Sequence, residues 1–276
     1  MKAALALLLL LSAAASAEEE RKFLWDDRPK FRRSEAVVTV LALGAAAGNF
    51  YLVRPPVTPV WRGPILFDQP ARNAMLIGSQ KSRDQVKVLA DILVIPLMGY
   101  AMLDGPITAR WKGRNKETAL QLALINAETF AVVEALNLTI ANTLPRSRPA
   151  GEKCDPESKY DTNCVKSFWS GHAANAFTSA SLVCAEHGAF DLYGGKADAV
   201  ACGGALFIAA VGSASRITSN NHHASDVIVG AMVGGVAGYL MPNLLHFKAR
   251  KAANKLGWLI PSVSPNGGGL AYVKTW

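Results

Sequence analysis

Long apolar runs, nearly free of charge, alternate along this chain with short polar connections. They occupy 36–53, 88–103, 119–143, 173–184, 199–214 and 227–245, lengths that suit helices rather than strands, so the pattern predicts six helices. The run 119–143 carries Glu128 and Glu134 with Asn126 and Asn137, which predicts packing against protein rather than lipid all round. The run 227–245 has no charge and sets Gly230 and Gly234 at small-xxx-small spacing. That spacing allows close helix contact in a membrane, and equally in a soluble core. Between the first two runs, Pro55, Pro56 and Pro70 predict an extended loop over 54–70. The tail from Pro261 places Gly267-Gly268-Gly269 before Leu270-Ala271-Tyr272-Val273, a short strand or an unstructured end.

Composition narrows the class. Of 276 residues half are apolar and 18% charged, below the usual charged share of about 25% in soluble domains, which fits an alanine-rich bundle or a membrane protein. The net charge of +8 suits anionic lipid or acidic substrates. Lys and Arg are scattered rather than grouped with aromatics, which argues against nucleic acid. Met1-Lys2, the apolar run 3–11 and Ser12-Ala13-Ala14-Ala15-Ser16-Ala17 have the parts of a secretory signal peptide cleaved after Ala17, with a retained short anchor as the alternative. Export makes the four cysteines readable as disulfides: Cys154 with Cys164 across a polar loop, and Cys184 with Cys202 across the turn 186–196. Neither pair has the Cys-x2-4-Cys spacing of a zinc site, and no metal or cofactor is expected.

Candidate chemistry lies in three segments. Ser215-Arg216 precedes His222 and Asp226. If the last two begin a helix, i, i+4 spacing puts them on one face, where the carboxylate could hold one ring nitrogen and leave the other as a nucleophile. Arg216 adds a planar cation suited to phosphate oxygens. Ser170-Gly171-His172 heads the run 173–184, so its amides sit at a helix N-terminus, a natural anion site. Arg146-Ser147-Arg148-Pro149 closes the run 119–143.

Together these segments resemble the signature of the type 2 phosphatidic acid phosphatase and vanadium haloperoxidase superfamily: Lys-x6-Arg-Pro, then Pro-Ser-Gly-His, then Ser-Arg-x5-His-x3-Asp. The third motif matches throughout, the second in Ser170-Gly171-His172, and the first only in Arg148-Pro149. Ala141 stands at the lysine position and Trp169 at the proline position. The resemblance implies an all-α, six-helix bundle: signal peptide 1–17, an N-terminal helix and loop over 18–84, a phosphatase core over 85–246 and a tail over 247–276. It implies that His222 attacks phosphorus, that Asp226 fixes its tautomer, and that His172 protonates the leaving oxygen and then activates water. Arg148, Arg216, Ser170 and Gly171 would hold the phosphate oxygens, and Arg146 would take over part of the missing lysine's role. The implied activity is metal-independent hydrolysis of a phosphomonoester or pyrophosphate, as of a lipid, at a membrane. A vanadium-dependent haloperoxidase and an impaired phosphate- or lipid-binding member, motivated by Ala141, are the alternatives.

His223, His187 and His246 are expected off the site, the last two at the surface or at helix ends, and Asp91 and Asp104 receive no catalytic role. An envelope protein with its site on the periplasmic side fits best, integral or soluble. One conflict remains in this reading: a cleaved signal followed by three crossing helices would leave Arg148 in the cytoplasm, where a Cys154–Cys164 bridge is disfavoured.

Overall fold

The computed structural model describes residues 23–25, 27–53, 58–151, 163–248, 258–264 and 267–273; the signal-peptide segment and Cys154 lie outside them. Seven α-helices are present among the described residues: α1 Arg33–Tyr51, α2 Asp68–Met75, α3 Gln80–Trp111, α4 Lys116–Thr143, α5 Gly171–Phe190, α6 Lys196–Thr218 and α7 Ala224–Gly235. All six predicted helices form. The seventh, α2, corrects the count and the last residues, 68–70, of the extended reading of 54–70. Pro70 falls in its first turn, where a missing N–H is tolerated, and Asp68 Oδ2 accepts from Ile65 N at 2.9 Å.

α3 and α4 start upstream of their apolar runs because polar residues build their first turns. Ser79 caps α3 by accepting from Ser82 N at 3.1 Å, and Asn115 caps α4 by accepting from Thr118 N at 2.9 Å. Beyond Gly235, α7 continues through two π-helical segments, Val236–Leu240 and Asn243–Phe247. The tail forms an antiparallel hairpin of β1 Trp258–Ser264 with β2 Gly267–Val273, the strand alternative of the sequence reading.

α5 is the central helix, packed against α3, α4, α6 and α7. Its buried face is made of small residues, Ala173, Ala174, Ala176, Thr178, Ser179 and Ala180, so neighbouring backbones come close. A Cβ added at Gly230 would sit 2.5 Å from the Ser170 carbonyl, and at Gly234 it would collide with that of Ala174. The small-residue spacing is therefore the α5–α7 contact itself. The expected Cys184–Cys202 disulfide joins α5 to α6, with Cα atoms 4.5 Å apart.

α3, α4, α6 and the rod Ala224–Phe247 are long and apolar enough to cross a membrane. Their outer faces carry a belt of exposed apolar side chains, among them Ile92 and Ile95 of α3, Phe207 of α6 and Met232 and Val236 of α7. Scattered exposed apolar residues are ordinary; a belt shared by adjacent helices marks a membrane protein. α1 runs alongside α4 with their C-terminal ends together, since Asn142 Nδ2 donates to Asn49 O at 3.0 Å. At the opposite end Trp25 stacks on Phe190 with ring centroids 5.5 Å apart.

His187 lies near that end. It is buried rather than at the surface, with Nδ1 2.6 Å from Asp198 Oδ1 and Nε2 2.9 Å from Asp104 Oδ2. His246 is buried too.

Gly234→Ala is expected to destabilise the bundle by about 1–3 kcal/mol through overpacking against α5. Gly44→Ala on α1, where an added Cβ meets nothing within 4 Å, should cost nothing; thermal unfolding of both variants in detergent checks the contrast.

Candidate active site

The three segments singled out in the sequence meet at one end of the bundle. The stretch after α4 pairs in parallel with the stretch before α5: Arg146 N donates to Val165 O at 2.7 Å, Arg148 N to Cys164 O at 3.0 Å, and Ser167 N to Arg146 O at 3.1 Å. Trp61 joins on the other side, its carbonyl accepting from Ser147 N at 3.1 Å. α6 brings Arg216 from its last turn, and a tight loop carries His222 to the start of α7, with His222 N donating to Arg216 O at 3.1 Å.

His222 is buried, and its Nδ1 lies 2.7 Å from the Ser167 carbonyl oxygen. A carbonyl only accepts, so Nδ1 carries the hydrogen and Nε2 keeps its lone pair. This differs from the expectation that Asp226 fixes the tautomer. Asp226 instead accepts from Ser167 Oγ at 2.6 Å, from His223 N at 3.0 Å and from Arg146 Nη1. The carboxylate thus positions the residue whose carbonyl holds His222. Burial, then the nearby Arg148 and Arg216 guanidinium groups, push His222 well below the ordinary histidine value, because each disfavours the charged ring.

Arg216 is buried, and its Nε and Nη1 have no hydrogen-bond partner among the described residues. Asp91 Oδ1 approaches Nη1 only to 3.9 Å. A buried cation with unmet donors is costly unless an anion completes it. Arg148 is steered by Nη1 donation to Asn221 O at 3.0 Å. Ser170 caps α5, its Oγ 3.4 Å from Ala173 N, and is fully buried. Gly171 and His172 follow in the first turn, where amides have no intrahelical acceptor. His172 Nε2 lies 2.6 Å from Asp91 Oδ1, a partner that the sequence reading left without a role.

Arg146 is the second correction. Its side chain is 0% exposed, sandwiched between Asp68 and Asp226. Nη2 donates to Asp68 Oδ2 at 2.7 Å and to Gly63 O at 3.0 Å, Nη1 to Ser225 Oγ at 2.8 Å and to Asp226, and the guanidinium lies 4.4 Å from the Trp61 ring centroid. With both terminal nitrogens engaged and no exposure, it is a structural cation, not a phosphate ligand.

Several participants were missed. Asp68 lies in the proline-rich connection with no local spacing to flag it. Ser167 adjoins a matched motif, and only the three-dimensional pairing reveals its carbonyl as the His222 anchor. Lys166 is half-buried, and burial and then Arg148 lower its pKa, so it stands near Arg148. Ala141 is buried on α4. Trp169 follows a cis peptide and packs edge-on against Phe168, which in turn lies against Trp61. His223 points off the site as expected, with Nε2 3.3 Å from Ser147 O. Among the described residues no three His, Cys, Asp or Glu side chains converge as metal ligands.

Part of the chain is similar to known proteins. Residues 118–250 match the family model described as the PAP2 superfamily. Over 155 residues the chain is 30% identical to a lipid A 1-phosphatase of Porphyromonas gingivalis, a match covering 55% of this chain and 30% of that protein. The chain thus spans under a third of that relative's length. No solved structure matches significantly.

Arg146→Met should leave two buried carboxylates unpaired and cost about 3–5 kcal/mol. Denaturant or thermal unfolding should show that loss, while a change below about 1 kcal/mol would contradict a pivotal role for this residue.

Proposed function

We propose, from the premise that residues 118–250 of this chain belong to the PAP2 superfamily, that the protein is a membrane phosphatase that hydrolyses a lipid phosphomonoester or pyrophosphate through a phosphohistidine. The observation that carries this reading is the His222 ring, tied at Nδ1 to the Ser167 carbonyl with Nε2 unprotonated, beside the unmet donors of Arg216. Nε2 attacks phosphorus as the bond to the leaving oxygen breaks. His172, held at Nε2 by Asp91, gives its other ring proton to that oxygen. In the second step His172 takes a proton from water, the water oxygen bonds to phosphorus, and the phosphorus–nitrogen bond breaks. Arg216, Arg148 and the α5 N-terminal amides hold the equatorial oxygens, where most transition-state stabilisation arises. No step requires a metal.

Lys166 supplies the cation that Ala141 lacks, from the strand paired with Arg148 rather than from α4. The lipid assignment rests on the apolar belt and on the similarity to a lipid A 1-phosphatase. We place the site on the exported side of the membrane. Because α1 runs with α4, that placement puts the start of α1 at the opposite face of the bundle.

Phosphate release from p-nitrophenyl phosphate and phosphatidate should persist in EDTA, be inhibited by vanadate, and fall by about a thousandfold or more in His222→Ala. Lys166→Met should lower kcat/KM by about ten- to a hundredfold, the value of one charge-assisted hydrogen bond. Halide oxidation dependent on vanadate and peroxide would instead mark a haloperoxidase, and inertness in every assay a binding protein.

The depressed His222 pKa keeps the nucleophile neutral into mildly acidic solution. The acid limb of kcat/KM for p-nitrophenyl phosphate attributable to this ring should therefore lie below pH ~6.5, the ordinary histidine value. A pH–rate profile falling with a midpoint at or above that value would contradict the assignment.

A further inference from the structure

His172 lines a cavity of ≈ 350 Å3 whose other ionisable lining residue is Glu134 of α4. Among the described residues no Lys or Arg lines it; the remaining wall is apolar or amide, with Val94 and Met98 on the α3 side. Glu134 is half-buried, and its Oε2 accepts from Asn175 Nδ2 at 3.2 Å. Asn175 follows His172 by three residues on α5, so the two share a helix face, and the carboxylate is held about one turn, ~5 Å, along the helix from the ring. On α3 a second carboxylate, Asp91, stands 2.6 Å from His172 Nε2. A further cavity of ≈ 490 Å3, lined chiefly by apolar side chains such as Leu43 and Phe130, shares Glu134 with the first. A group that extends from His172 into apolar volume therefore passes Glu134.

The two sides of the site differ in charge. Arg148 and Arg216 act on His222, and Lys166 on Arg148, so these cations gather where the transferred phosphoryl group is held in the proposed reaction. The His172 side carries two carboxylates, Asp91 and Glu134, instead. A neutral alcohol enters there without electrostatic cost. A leaving group that is itself a phosphate brings negative charge beside Glu134, with no Lys or Arg in the cavity wall to compensate it. Like charges ~8 Å apart at the effective dielectric of a protein repel enough to cost about tenfold or more. A second phosphate would meet cations in the cleft between the start of α3 and the loop before His222, which Arg83, Lys87 and Arg148 line together with Asp84. That cleft measures only ≈ 40 Å3, room for about three waters rather than a phosphate group. Arg83 is moreover already bonded to the Ile77 and Gly78 carbonyls, each at 2.9 Å.

We propose that Glu134 is a specificity-determining residue: it bars an anionic leaving group from the His172 cavity, so that the protein takes phosphomonoesters of neutral alcohols and rejects lipid diphosphates. This rests on the phosphatase reading, in which His172 protonates the leaving oxygen and so fixes the side on which the leaving group departs, and it decides between the two ester classes which that reading admits. With either class the bond from His222 Nε2 to phosphorus forms, the bond from phosphorus to the leaving oxygen breaks, and that oxygen takes the His172 proton. The leaving group is an alcohol in one and a phosphomonoester in the other.

The test uses the full chain in detergent micelles and compares initial phosphate release from n-dodecyl phosphate and n-dodecyl diphosphate, which share one tail. A phosphate is intrinsically a better leaving group than an alcohol, so a preference for the monophosphate must come from the protein. Wild type should favour the monophosphate by about tenfold or more in kcat/KM. Glu134→Gln, which can still accept from Asn175, should raise kcat/KM for the diphosphate by about tenfold and so level the ratio. Glu134→Asp keeps the charge and should keep the preference, whereas a merely structural defect lowers both rates together.

A wild-type preference for the diphosphate, or a ratio that Glu134→Gln moves by less than about twofold, would overturn the proposal. Diphosphate hydrolysis that is lost in Lys87→Met would overturn it too, by placing the second phosphate in the cleft at the start of α3. If neither dodecyl ester nor p-nitrophenyl phosphate is hydrolysed, the phosphatase reading fails and the role of Glu134 falls with it, an outcome distinct from hydrolysis without discrimination.

Discussion

The arrangement of the site depends on one cation buried between two carboxylates. Arg146 is bonded to Asp68 at the start of α2 and to Asp226 in the first turn of α7, while its own backbone pairs with the strand before α5. Removing Arg146 leaves both carboxylates without their cation in a medium that solvates them poorly, so the three elements lose their common tie. Ser225 adds to the closure, its backbone N donating to Asp68 Oδ1 at 2.8 Å. The arginine expected to help with phosphate is here bonded to two carboxylates, and in the proposed reaction that role passes to its neighbours.

From this pivot a chain of contacts reaches the nucleophile without touching it directly. Asp226 holds the Ser167 hydroxyl, and the Ser167 carbonyl holds His222 Nδ1. A neutral carbonyl fixes the tautomer as firmly as a carboxylate does, but it adds no countercharge to the ring. That is consistent with the direction of the His222 shift: burial and the facing cations outweigh the Ser167 carbonyl, which favours the protonated ring. His172 differs in having a carboxylate, Asp91, against one nitrogen, although burial and then Arg216 lower its pKa as well.

Much of this was legible in the sequence. Helix positions followed from long uncharged runs, and the membership of His222, His172, Arg148 and Arg216 in one cluster followed from motif order and spacing. What could not be read was pairing across the fold. Two arginines separated by one residue in an extended stretch leave the same face, but spacing does not say which of them meets carboxylates already waiting there. Asp68 was invisible because its partners lie far along the chain. α2 was overlooked because a proline was taken as a breaker when it sat in the one turn that tolerates it. Asp91 lay in an apolar helix with no local companion, and only the packing of α3 on α5 gives it a purpose.

That packing has a mechanical side. α5 buries small residues from Ala173 to Ser181 and larger ones, Leu182, Val183, Glu186 and Phe190, beyond them. Two histidines on α5 meet two aspartates on α3, His172 with Asp91 at the site end and His187 with Asp104 at the other, roughly four turns apart on both helices. The two bonds act as dowels driven through the same pair of rods: a slip by one residue would unseat both together. The histidine of the proposed proton transfer and the one remote from it are therefore parts of a single gauge that sets how far along the bundle the two ends lie.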